Sequence, residues 1–203
     1  IIGIDISKQT FDVGFNDGSN WHHLVLDNNE KGFKCLLKEL SNNDWVVMEA
    51  SGPYYLKLAT FFYGKGYNVC VLNPLIIKRY SQTRLIRAKT DKKDAQTIAE
   101  YGAQYRLKQW KPEPTNISKI KQLYTVLELL NKEVHQSERQ LEALTATGIM
   151  DKDLKSILKG IVSYLTCKRN KVEKQIEEIA QSVYKSTLDR LKSIPGIGTK
   201  TAI

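Results

Sequence analysis

Cysteine is scarce and scattered. Cys35, Cys70 and Cys167 are the three in 203 residues, and none belongs to a Cys-x-x-Cys pair. That spacing excludes a disulfide framework and a zinc ribbon, and it fits a reducing compartment. Histidine is equally rare, and His22, His23 and His135 have no partner at metal-ligand spacing. The first two fall on opposite faces of a strand and read as surface residues. No apolar run approaches the ~18 residues of a membrane span, and no charged-then-apolar leader opens the chain, so neither membrane insertion nor secretion is expected. Twelve glycines and five prolines are too few for a collagen-like or low-complexity chain. What is present, 41% hydrophobic and 26% charged residues, is enough to bury a real core. The chain opens on Ile1 and stops on Ile203 inside what reads as a motif, as expected of a piece of a longer protein.

The charge is lopsided. The net charge is +9; residues 1–100 carry 13 basic and 11 acidic side chains, and residues 101–203 carry 18 and 11. A polyanion, meaning nucleic acid, is the natural partner for such an excess, with a lysine-rich solvated surface as the plain alternative.

Along the first half, strand and helix signals alternate. Ile1–Ile6, Thr10–Phe15 and Trp21–Leu26 predict three strands before any helix, arranged as an antiparallel meander. Phe33, Leu36, Leu37 and Leu40 mark an amphipathic helix over 29–40; a strand over 44–50, a helix from Pro53 to about Tyr63 and a strand over 67–72 follow. The order βββαβαβ implies an α/β fold with a mixed sheet flanked by helices. Residues 78–93 then hold Lys78, Arg79, Arg84, Arg87, Lys89, Lys92 and Lys93 against the single acid Asp91, and read as an exposed basic loop for phosphate contact. Thr90 is a good N-cap for a helix to about Tyr105, and Pro112 and Pro114 mark a linker. Beyond Thr115 two helical runs, each over ~30 residues or about 45 Å long, meet at Gly148 and predict a hairpin.

Four acids stand out. Asp5 is the one charge in an apolar strand, and Glu49 closes another; a lone carboxylate in a central strand needs a partner or a use. If those strands are neighbours, both acids share one edge of the sheet. Asp91 and Asp94, three apart at a helix start, share one helix face. Converging carboxylates without His or Cys select Mg²⁺ or Mn²⁺, and two such ions can hold the attacking and leaving oxygens of a phosphodiester displacement. Taken singly, each acid has a plainer role: Asp91 as a helix-start charge, Glu49 paired with a lysine, Asp5 capping a turn. Asp12, on the second strand, reads as solvent-facing.

The segments GIDISKQTFDV, VVMEASGPY and RAKTDKKDAQTIAEYG resemble the DEDD transposases of the insertion sequence 110 family, and IPGIG at 194–198 is similar to the start of that family's C-terminal domain. The resemblance implies a RuvC-like, ribonuclease-H-type domain over 1–110 with Asp5, Glu49, Asp91 and Asp94 as catalytic metal ligands. It implies a helical coiled-coil region over 111–186 that assembles homo-oligomers, and the truncated start of a transposase domain over 187–203. In that family the acidic domain works with a serine on a further domain, and a structured guide RNA selects the DNA sites. The implied function is metal-dependent strand cleavage and exchange in a prokaryotic cytoplasm, near the nucleoid. A piece without the serine region is expected to lack full recombination. Ser193 does not match that position.

Two other readings share these residues: a standalone Holliday-junction-type nuclease and a noncatalytic nucleic-acid-binding scaffold. The stretch 191–202 also has the form of a helix-hairpin-helix, whose glycines let the backbone approach phosphate, or of a simple helix–turn–helix junction.

Overall fold

A computed structural model describes residues 1–84 and 90–202, with Lys200 described by its backbone alone. Within it the chain divides into two compact units, Ile1–Pro112 and Glu113–Ile203.

Alternation along the first strand decides how the first unit is layered. In β1 (Ile2–Ile6), Ile2, Ile4 and Ile6 join one hydrophobic core, while Gly3 and Asp5 turn to the opposite face. β2 (Thr10–Asn16) and β3 (Trp21–Asp27) continue as the expected antiparallel meander, with Gly3 opposite Gly14 and Asp5 opposite Asp12. β4 (Trp45–Glu49) and β5 (Asn68–Leu72) add on the other side of β1, parallel to it, giving a mixed sheet ordered β3-β2-β1-β4-β5. Parallel neighbours need crossovers, and helices supply them.

The isoleucine face is covered by α1 (Glu30–Glu39) and α2 (Tyr55–Gly64), which bring Phe33, Leu36, Leu58 and Phe62 onto Ile4, Val13, Val46 and Met48. The other face carries a smaller apolar cluster of Val47, Cys70 and Leu72, closed by Ile77 of α3 (Pro74–Thr83) and Ile98 of α4 (Asp91–Gln104). After α4 the chain returns along the outer edge of β5, where the Trp110 backbone N–H donates to the Val69 carbonyl at 2.7 Å. The Trp110 ring meets Tyr63 edge-on. A sheet edge that would otherwise present free N–H and C=O groups is thereby occupied.

One expectation is corrected. Residues 78–83 are not loop but the second half of α3. Asn73 caps that helix, its side chain accepting from Leu75 N at 2.9 Å, and Pro74 sits at the first position where its missing N–H costs nothing. Its buried stripe is only Ile77 and Tyr80, too short to outweigh the run of positive charge that signals a loop. Arg87 and Lys89 lie outside the described residues.

In the second unit, α5 (Thr115–Ala146) and α6 (Lys152–Lys192) pack against each other as the expected hairpin. The turn between them passes through Gly148 at φ +73°, a left-handed conformation that favours glycine. Tyr184, at φ −122° and ψ 23°, breaks the helical geometry of α6 and kinks it, and the helix resumes to Lys192. The IPGIG turn leads into the short α7 (Thr199–Ala202).

Candidate metal centre

The parallel register of β1 and β4 pairs Ile4 with Met48, so one step further Asp5 and Glu49 stand side by side on the face away from the isoleucines. α4 runs across that face. Its first turn is fastened by Thr90, whose hydroxyl accepts from Lys93 N at 3.3 Å, and it presents Asp91 and Asp94 one turn apart. Gly3 and Gly14 let α4 come down into backbone contact with β1 and β2. Carboxylate oxygens of Asp5, Asp91 and Asp94 consequently lie within 4.8 Å of one another.

Asp5 and Asp94 are half-buried, Asp91 exposed. Burial, followed by the charges of Asp94, Glu49, Asp91 and Asp12, pushes the Asp5 carboxyl up to about 6 from its ordinary 3.8. Glu49 is outside the close trio. Its Oε1 accepts from the Ser51 hydroxyl at 3.0 Å, which holds it at the rim of the same cleft. That cleft, about 710 Å³, is lined by Asp5, Glu49 and Asp94 together with the α3 residues Leu75, Lys78, Ser81 and Gln82.

The donor set fits a hard divalent cation. Oxygens bound to Mg²⁺ at ~2.1 Å stand no more than about 4.2 Å apart, so a trio within 4.8 Å needs only a small inward shift. Among the described residues no histidine or cysteine joins this group, which disfavours zinc.

The basic residues divide into two groups. Lys78 lines the cleft, Arg79 is exposed on α3, and Lys92 and Lys93 are exposed on the first turn of α4. Arg84 is already engaged: its guanidinium donates to the Tyr80 hydroxyl at 3.0 Å and pairs with Glu100, while Tyr80 donates to Gln104 at 2.9 Å. It ties the end of α3 to α4.

Sequence reasoning missed a neighbour of the trio. Asp12 is not solvent-facing; it is largely covered, opposite Asp5 in register, and its Oδ1 lies 2.7 Å from His23 Nε2. The signal was available, because Phe11 and Val13 face the isoleucine core and force Asp12 onto the face of Asp5. His22 turns the other way, stacked on Phe15 and bonded to Asp17 at 2.6 Å.

A family model described as Transposase, that of the DEDD transposases of insertion sequence 110, matches residues 2–148. The pilin gene-inverting proteins of Moraxella lacunata and Moraxella bovis are each 30% identical to the chain over 210 aligned positions, covering 98% of it and 63% of their own length. The chain thus spans less than two thirds of the curated relatives it matches. The family match contains both strands and the helix that carry the four acids, and the relatives align with nearly every residue; the chain belongs to the DEDD transposase family of insertion sequence 110.

Proposed function

We propose that Ile1–Pro112 is a RuvC-like, ribonuclease-H-type catalytic unit that cleaves and exchanges DNA strands as part of a larger recombinase. Support for the fold reading comes from the meander followed by two parallel strands, with acids at the ends of β1 and β4 and on the closing helix. Asp5, Asp91 and Asp94 would hold Mg²⁺ or Mn²⁺, with Glu49 joining from the same rim. The bound ion would polarise a phosphodiester and lower the pKa of a water or hydroxyl. Asp5 and Asp94 orient their oxygens from rigid elements, and Ser51 fixes the Glu49 carboxylate. Lys78, Arg79, Lys92 and Lys93 would hold the sugar–phosphate backbone beside the acids, as would Arg87 and Lys89 of the same basic stretch. The observation that carries this reading is the trio of oxygens within 4.8 Å, drawn from a strand and a helix far apart in the chain.

Inverting a gene, the action named for the Moraxella relatives, demands strand breakage and rejoining at two DNA sites, which suits this reading. The activity would belong to the full-length protein, with a serine on a further domain acting together with the acidic unit. The positive second half would meet a structured guide RNA. The α5–α6 hairpin would assemble copies of the chain, since Leu129, Ile157 and Tyr164 are each more than half exposed on it. The setting would be the bacterial cytoplasm; among the described residues no helix is long and apolar enough to cross a membrane.

The test is strand cleavage and inversion by the full-length protein in Mg²⁺. Asp5→Asn, Glu49→Gln and Asp94→Asn should each lower the rate by more than ~100-fold with an unchanged circular dichroism spectrum. Full activity in all three variants would reject the assignment.

A further inference from the structure

The cleft beside the acids is not lined as a purely ionic site would be. One wall is the face of α3 that carries Leu75, Lys78 and Gln82, spaced three and four apart and so stacked along one side of the helix. Leu75 keeps 49% of its surface exposed there, although Ile77, also on the wall, is buried in the core. A single exposed leucine on a convex surface means little. This one lines a concavity together with Pro74 and the carboxylates Asp5, Glu49 and Asp94. An apolar patch, an ammonium and a carboxamide beside a cation-binding edge match the parts of one nucleotide: a flat base, a phosphate and a hydrogen-bonding base edge.

We propose that this wall of α3 docks one nucleotide of a DNA strand, its base lying on Leu75 and Pro74, its edge bonded by Gln82 and an adjacent phosphate held by Lys78. The proposal rests on the reading of the acidic trio as the strand-cleaving centre and adds the element that holds the strand against it. A volume of about 710 Å³ falls within the range of pockets that enclose small organic ligands, so a nucleotide fits. Leu75 and Pro74 would give the base van der Waals contact on its face, and Gln82 would add a hydrogen bond at its edge.

The experiment is fluorescence anisotropy of this 203-residue chain in Mg²⁺ with a labelled DNA strand of about 12 nucleotides, and with a strand of equal length made only of abasic units. Leu75→Ala should weaken binding of the base-bearing strand by about 5-fold and leave the abasic strand unchanged. Lys78→Ala should weaken both and lower the salt slope by about 1. Leu75 is exposed, so its replacement should not disturb folding, and thermal unfolding of the variant checks this. Equal loss on both strands, or no loss on either, overturns the base-docking wall; so does failure of the unmodified chain to bind the base-bearing strand. The metal reading is judged separately by Mg²⁺ binding to Asp94→Asn, which does not depend on Leu75.

Discussion

Gly3 of β1 lies directly beneath Ala95 of α4: a β-carbon on Gly3 would stand 2.2 Å from the Ala95 carbonyl oxygen, and 2.3 Å from the Ala99 nitrogen. Its cross-strand partner Gly14 is similarly close, 2.9 Å from the Gln96 nitrogen. The two glycines form a floor without side chains on which the helix rests. Asp5 is two residues from Gly3 on the same face, and Asp94 immediately precedes Ala95. The distance between the acids is therefore set by the absence of a methyl group at residue 3.

Gly3→Ala should push α4 away from β1. The obstacle is backbone, which cannot rotate aside, so the expected cost is about 1–3 kcal/mol with a weakened affinity for Mn²⁺. Gly160, inside α6 with nothing near its missing β-carbon, is the control: Gly160→Ala should stabilise by about 0.5–1 kcal/mol. Chemical unfolding and titration calorimetry read both effects.

The raised Asp5 carboxyl makes the metal-free protein sensitive to pH. The folded state holds its proton up to about pH 6, whereas the unfolded chain releases it near 3.8. The stabilising contribution is complete below 3.8 and is lost as pH rises through about 6. In EDTA, Asp5→Asn should accordingly raise the melting temperature at pH 7.5, by an amount equivalent to about 1–3 kcal/mol, and change little at pH 4. No difference between the two pH values would contradict the crowding of acids around Asp5.

Addition of a divalent cation should reverse that sign. Mn²⁺ at 100 times its dissociation constant should stabilise the unmodified chain by about 2.7 kcal/mol, and EDTA should remove the gain. Asp5→Asn and Asp94→Asn, on half-buried positions, should abolish most of it; Asp91→Asn, on an exposed one, should retain part. Thermal scans with and without Mn²⁺ measure the differences.

Arg84 and Lys92, both from the basic stretch, should behave differently. Arg84 is committed to Tyr80 and Glu100, so Arg84→Ala should lower the melting temperature slightly and leave the salt dependence of DNA binding nearly unchanged. Lys92→Ala should leave stability alone and reduce the salt slope by about 1. The reverse pattern would place Arg84 on the nucleic acid.

The local parts of this fold were legible because their signals are local. Alternation in Ile2–Ile6, the Thr90 cap and the three-residue step from Asp91 to Asp94 are each contained within one element, and each appears where its spacing requires. α3 escaped because its buried stripe is two residues long, and charge counts conceal so short a stripe. Asp12 escaped because its burial depends on which strand lies beside it, although the register that decides this could have been followed from Phe11 and Val13.

By itself the sequence determined which acids stand on which faces, because the 2.0 and 3.6 residue periods assign every side chain of a strand or helix to a side. Only the tertiary structure decided their spacing: that oxygens of Asp5, Asp91 and Asp94 lie within 4.8 Å of one another, while Glu49, bonded to Ser51, lines the same cleft outside that trio. Those outcomes depend on how nearly two elements can approach, and here that is governed by steric contact between the backbone of α4 and two glycines that it never meets along the chain.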